Sequence, residues 1–152
     1  MPNSYVEAAT EAHALELAAH LSPQSLRDLA VFGLEPCPLC VDNVRTSICA
    51  FAGMADDRCV ALFGVAPDAD RSAGQPWLLT SEDIAQHTHA LARGSRQYMA
   101  LLQREFTWLH GWVAERNTVS RRWLAWMGFT LASEPTLIGN GQPYYPFDWR
   151  AA

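Results

Sequence analysis

The chain contains no lysine; all eleven of its basic residues are arginine. That absence excludes a lysine Schiff base, a Walker-type phosphate lysine and a lysine general base, and the chain has no lysine of its own to be acetylated. Excess positive charge is also missing. The formal net charge is −5, which argues against non-specific binding to nucleic acid. No apolar run approaches the roughly 20 residues that a membrane-spanning helix needs. The opening MPNSYVEAAT lacks the basic start and apolar core of a signal peptide, so a soluble, cytosolic protein is the expectation. Charged residues make up only 18% against 49% hydrophobic, a balance that builds a core and excludes disorder. At 152 residues the expectation is one domain spanning 1–152.

Cysteine is scarce. Cys37 and Cys40 have the C-x-x-C spacing of zinc and redox sites, but Cys49 and Cys59 stand ten apart in strand-like runs and form no second close pair. A redox pair would follow a strand, whereas this one follows a helical stretch. Reduced, partly buried thiols and no metal site are expected. His87 and His89, two apart on a helix, do not share a face and make poor metal partners.

The pattern of the chain is that of a mixed α/β sandwich around one sheet. Ser4 to Ala9 reads as a strand. Thr10 caps a helix over Glu11 to Leu21 with Ala14, Leu17, Ala18 and Leu21 on one face. Ser22-Pro23 starts a second helix with Leu26, Leu29 and Ala30 as its stripe and Gly33 as terminator. A third covers Pro38 to Ser47. Ile48–Met54 and Arg58–Val65 form a hairpin through Ala-Asp-Asp, Pro67–Gly74 is a polar loop, and Pro76–Leu79 is a strand. Thr80-Ser-Glu-Asp83 fits a capping box opening a long helix to about Arg104, with Ile84, Leu91, Tyr98, Met99 and Leu102 as its core stripe. A strand over Phe106–Val113 and a short helix follow. Thr130–Ile138 and Tyr144–Trp149 then close the chain as a hairpin around Gly-Asn-Gly-Gln.

The most distinctive stretch is AERNTVSRRWLAWMGF, Ala114 to Phe129. Asn117 is a strong N-cap, Val119, Trp123, Trp126 and Met127 fall on an apolar arc, and Gly128 suits the left-handed end of a helix. With the order of elements around it, this N-x-x-S-x-x-x-x-x-x-G-F segment resembles the GNAT-type N-acetyltransferase fold, a mostly antiparallel sheet with helices on both faces. The phrases CVALFGVAP, PWLLTSEDI, RGSRQYM and ERNTVSRRWLAWMGFTL together resemble the phage internal virion protein A family of short-tailed bacteriophages and prophages. That resemblance runs from about Tyr5 to Phe147.

The GNAT resemblance implies an acetyl-CoA site, and two of its elements are missing. The family binds pyrophosphate with Arg or Gln, two residues, Gly, one residue, then Gly or Ala at the start of its long helix. Here Thr80-Ser81-Glu82-Asp83-Ile84 has no glycine, and its two carboxylates would repel a pyrophosphate beside them. Arg93-Gly94-Ser95-Arg96 does not restore the spacing. The resemblance also implies a tyrosine four residues before the glycine of Gly-Phe, as general acid, and that position is Leu124. Tyr98, Tyr144 and Tyr145 are the spatial substitutes on offer, and Glu115, His110 and Asp83 are the candidate bases. Asn117, which in GNAT relatives lies near the pantetheine arm, is retained, and Arg93, Arg96, Arg121 and Arg122 are available to an anion.

The leading expectation is a GNAT-like phage protein without acetyltransferase activity or cofactor. It would act through other virion proteins in assembly or infection, located in the virion or host cytoplasm, with Tyr144, Tyr145, Phe147 and Trp149 as contact residues and a homo-oligomer compatible with it. The alternative is a GNAT-type N-acetyltransferase with a divergent acetyl-CoA site, using Asn117, Arg93 and Arg96 toward the cofactor and Glu115, His110 and Tyr98 in catalysis.

Overall fold

A computed structural model describes residues 4–139 and 141–152. The elements run β1 (Ser4–Ala8), α1 (Glu11–Ala18), α2 (Pro23–Val31), α3 (Pro36–Thr46), β2 (Cys49–Ala55), β3 (Arg58–Pro67) and β4 (Ala73–Thr80). After them come α4 (Thr88–Glu105), β5 (Trp108–Ala114), α5 (Thr118–Met127), β6 (Thr130–Leu131), β7 (Thr136–Ile138) and β8 (Gln142–Arg150). The strands form one sheet in the order β1-β2-β3-β4-β5-β8-β6, with β7 also on β8. All pairings are antiparallel except β4 with β5. Among the described residues no helix is long and apolar enough to cross a membrane.

Two cores lie on the two faces. Ala61, Phe63 and Val65 of β3 pack with Leu91 and Met99 of α4 and Trp123, Leu124 and Met127 of α5. Cys59 and Leu62 pack on the other face with Ala14 and Leu17 of α1, Leu29 of α2 and Cys40 of α3. Cys59 and Leu62 are three apart, yet share a face. The β2–β3 register shifts at Gly53/Met54, which pair with Ala61 and Cys59 and skip Val60, so the extra residue turns Cys59 to the α1 side. The hairpin itself is closed by Asp56 and Asp57, both with positive φ (51° and 62°), as a tight two-residue turn between twisted strands demands.

Several boundaries differ from the sequence expectation for non-local reasons. Helix α1 ends at Ala18 because Leu21 leaves it to bridge Ser81. The stripe of α2 is not Leu26, Leu29 and Ala30: Leu26 is exposed, and Ser25 takes the buried place beside Leu29. The Thr80 capping box does not form. Thr80 is the last residue of β4, and its hydroxyl hydrogen-bonds the Ser22 and Ser25 hydroxyls (2.8 and 3.4 Å), while its N–H donates to Ser25 Oγ (3.1 Å). The long helix therefore begins eight residues later, at Thr88, after a single 3₁₀ turn over Ile84–Gln86. The expected strand Thr130–Ile138 is split into β6 and β7, which pair with opposite ends of β8. Part of the expected turn around it, Asn140, lies outside the described residues.

Candidate active site

The parallel strands β4 and β5 are registered only at Ala73 with Trp108 and Gly74 with Leu109. Beyond that point they diverge. Gly74 also lets β3 approach closely on the other edge of β4, since a Cβ there would lie 2.4 Å from Val65 Cγ1 and 2.9 Å from the Ala66 carbonyl oxygen. Trp123 of α5 stands at the gap, with Nε1 donating to Ser95 Oγ (2.9 Å) and its ring edge-on to Phe63 at 6.2 Å. Gln75 to Leu79 of β4 keep their ladder to β3 alone. In an antiparallel ladder alternate residues turn their N–H and C=O away from the partner, so this stretch presents main-chain groups to the cleft.

The cleft holds two cavities that share Leu78 and Trp123 in their walls. One, of about 390 Å³, lies toward α2 and β8 and is lined by Asp28, Trp112, Asn117, Leu124 and Tyr144 among others. The second, of about 450 Å³, lies between the start of α4 and α5 and includes Thr80, Ile84, Thr88, Val119, Arg122 and Trp126. Leu78 and Trp123 thus mark the place where the two cavities meet.

The first cavity gathers the polar groups. Asn117 caps α5 by accepting from Ser120 N–H through Oδ1 (3.0 Å), and its Nδ2 donates to Asp28 Oδ2 (3.2 Å). Asp28 also accepts from Gln24 Nε2 (3.0 Å) and Arg116 Nη2 (3.4 Å). Burial nevertheless pushes the Asp28 carboxyl above its ordinary range, because desolvation outweighs the pull of those donors. The Tyr144 hydroxyl is buried and has no hydrogen-bond partner among the described residues. Burial, with the Asp28 charge beside it, raises the Tyr144 phenol, and the nearby Arg116 guanidinium offsets part of that rise. An unpartnered polar atom inside a cavity wall is costly, and such atoms concentrate where a ligand completes them. Asn117→Ala removes the helix cap and is expected to cost about 1 kcal/mol, read as a lowered urea midpoint with an unchanged slope.

The second cavity removes the objection that acidic side chains would repel a phosphate. Helix α4 has no acidic residue in its first turn and no side-chain cap, so the N–H groups of that turn are not engaged by a side chain. Asp83 instead pairs with Arg58 (2.6 Å), and Glu82 lies 3.6 Å from His20. Val119 and Trp126, expected on the buried arc of α5, are half exposed and face this cavity. The buried face of α5 is Trp123, Leu124 and Met127.

The residues singled out in the sequence are dispersed. His110 sits at the joined end of β5, bonded to Asp68 (2.5 Å) and stacked on Trp108 at 4.0 Å. Tyr98 is on α4, with its ring against Phe51 at 4.3 Å and its hydroxyl donating to the Val6 carbonyl (3.4 Å), and it lines neither cleft cavity. Glu115 is exposed in the turn after β5. Arg93 is exposed on α4, and Arg96 lies over the Trp126 ring at 3.8 Å, latching α4 to α5. Arg121 lies over Tyr145 at 4.6 Å. Of the aromatic residues expected at an interface, Tyr144 and Phe147 are buried in the first cavity's wall, while Tyr145 and Trp149 are partly buried against the core. All four cysteines are free thiols. Asp28 was missed. Its link to Asn117 spans 89 positions, and no local pattern marks it.

The architecture is the GNAT fold. Solved structures match the chain over nearly its whole length: Ard1 from Thermoplasma volcanium (TM-score 0.72, 10% identity, 98% of each chain) and a GNAT-family acetyltransferase from Streptococcus pneumoniae (TM-score 0.67, 10% identity, 99% of this chain and 100% of that one). A ribosomal L7/L12 alpha-N-protein acetyltransferase in complex with coenzyme A matches with TM-score 0.68 and 12% identity, covering 97% of this chain and 93% of that one. No family model and no curated protein matches the chain, so the resemblance to the phage internal virion protein family gains no support. The likenesses overturn the expectation of a non-catalytic virion protein without a cofactor. The fold's solved relatives are acetyltransferases, some of them holding coenzyme A or acetyl-CoA, and they favour the alternative.

Proposed function

We propose that this protein is a GNAT-type N-acyltransferase with a divergent acyl-CoA site, transferring an acyl group to an amine. The observation that carries the reading is the splayed β4/β5 cleft, whose two cavities meet at Leu78 and Trp123 and whose inner wall holds an unpartnered buried hydroxyl, Tyr144 Oη. The residues present suit an acyl-CoA. Main-chain groups of Gln75 to Leu79 face the cleft and match an amide-bearing arm. The uncapped first turn of α4 and the Arg122 side chain suit a pyrophosphate without the family's glycines. When bound, acyl-CoA supplies the acyl group as a thioester.

The chain's own residues then have distinct roles. Asp28, its carboxyl raised by burial and aligned by Gln24, Asn117 and Arg116, accepts the proton that the amine gives up as its nitrogen takes the acyl carbon. Tyr144 keeps its proton at neutral pH, because burial raises its phenol further, and gives it to the departing sulfur as the carbon–sulfur bond breaks. The proton donor is then supplied from β8 across the cavity from Leu124, where the family's tyrosine would stand. Trp123 and Leu124, both buried, keep water from the junction.

Calorimetric titration of acetyl-CoA into the purified protein tests the reading. Micromolar binding is expected, and Arg122→Glu should weaken it at least tenfold. No heat up to millimolar acetyl-CoA would sink the proposal.

A further inference from the structure

We infer that the acceptor is a small primary monoamine carried on an apolar, aromatic body. The inference rests on the acyltransferase reading and concerns the first cavity alone. Among the described residues Asp28 is the one carboxylate in its lining, and no arginine or histidine lines it. That carboxylate already faces the Arg116 guanidinium at 3.4 Å, so the pair is close to neutral as a unit. A polyamine or an amino sugar brings several cations, and holding each out of water needs its own carboxylate or carbonyl. This wall has one acid and it is already paired. A single amine needs no more than Asp28, and it must in any case arrive there neutral to attack.

Most of the remaining wall is apolar and aromatic, with Asn43, Gln75, Asn117 and Ser120 as its uncharged polar side chains. Phe32, Leu34 and Trp112 line the cavity with 49%, 43% and 49% of their surfaces exposed, an apolar rim that a surface loop and strand face would otherwise not present. Trp77 is held at the wall by its Nε1 donating to Ser47 Oγ (2.8 Å), and Phe32 packs at 5.8 Å from the Tyr144 ring. An aromatic body between Phe32 and Trp112 buries these faces, and its amine then lies toward Asp28 and Tyr144. The volume, about 390 Å³, is within the roughly 300–1,000 Å³ of small-ligand pockets. The open β4 edge at Gln75 to Leu79 is the one assigned above to the acyl-CoA arm, so the acceptor is left the rim of side chains, which suits a free small molecule better than a peptide laid along main chain.

Steady-state transfer from acetyl-CoA, followed by release of free thiol, decides the matter. The acceptors are 2-phenylethylamine, spermidine, an aminoglycoside and a short peptide with a free N-terminus. Transfer to 2-phenylethylamine with kcat/KM at least tenfold above each of the others is the expected result. Trp112→Ala should raise the KM for 2-phenylethylamine about tenfold with kcat nearly retained, since this half-exposed side chain touches the body of the acceptor and not its nitrogen. Equal or better transfer to spermidine, the aminoglycoside or the peptide overturns the inference and leaves the acyltransferase reading standing. Binding of acetyl-CoA without transfer to 2-phenylethylamine above the spontaneous rate also overturns it. Failure to bind acetyl-CoA at all removes the reading on which it rests.

Discussion

Tyr144→Phe is expected to fold as the parent does and to lose about a hundredfold to ten-thousandfold in kcat, the range typical of removing a general acid. The two effects separate because of what surrounds the hydroxyl. It is buried and makes no hydrogen bond of full geometry to a described residue, with only the Arg116 guanidinium near enough to interact, so deleting it costs the fold little. The ring itself stays, keeping its 5.8 Å contact with Phe32 and its place in the ladder opposite Ala114. The thermal midpoint should therefore be unchanged or slightly higher while turnover collapses. A structural role would move the midpoint down and activity only in proportion. Tyr144→Phe with full kcat would show that the proton comes from elsewhere.

The second large effect is alkaline loss of stability centred on two buried thiols. Desolvation pushes Cys40 to about 11 and Cys59 to about 12, against 9.0 for an ordinary thiol. Cys40 is fully buried and Cys59 nearly so, in one core beneath α1 and α3. The folded state holds these protons more tightly than the unfolded chain does. The contribution is thus fully present below pH 9 and declines as pH rises from about 9 through about 12. A tenfold tighter hold on one proton corresponds to about 1.4 kcal/mol, so the loss across the window amounts to several kcal/mol, a large part of a typical domain's stability. Urea midpoints at pH 8, 9.5 and 11 should fall steeply between the last two, and Cys40→Ala with Cys59→Ala should flatten that slope even though the variant starts less stable. An equally steep fall in the double variant would place the titration elsewhere. The same burial predicts the thiol chemistry at pH 8: Cys37, exposed at the start of α3, reacts promptly with a thiol reagent, while Cys40 and Cys59 react only after unfolding.

Much of the fold was legible because its signals are local. Thr10 accepts from His13 N–H (3.3 Å), Ser22 from Ser25 N–H (3.1 Å) and Asn117 from Ser120 N–H, and Gly128 takes φ +100° at the end of α5. A cap and the residue it serves lie within three positions, so sequence spacing identifies them. The failure at Thr80 has the same logic reversed. A hydroxyl that fits a local cap was claimed by Ser22 and Ser25, more than fifty positions away, and the helix start moved to Thr88. That displacement also removed the argument against phosphate binding, because Glu82 and Asp83 no longer sit in the first turn.

The candidate site was less legible. His110, Glu115 and Tyr98 were sound chemical types, but strand direction and helix face dispersed them. Asp28 carried no local mark, and Tyr144 stood in a run of aromatic residues whose burial depends on β8 pairing with β5 on one edge and β6 and β7 on the other. By itself the sequence determined the caps of α1, α2 and α5, the β2–β3 turn, most of the buried faces of α1 and α4, and the absence of any lysine chemistry, all of which depend on composition or on neighbours a few residues apart. Only the tertiary structure decided where β4 and β5 part, which hydroxyl is left without a partner, and which carboxylate faces it. Those are properties of pairs separated by tens of residues, and the register of the sheet brings them together.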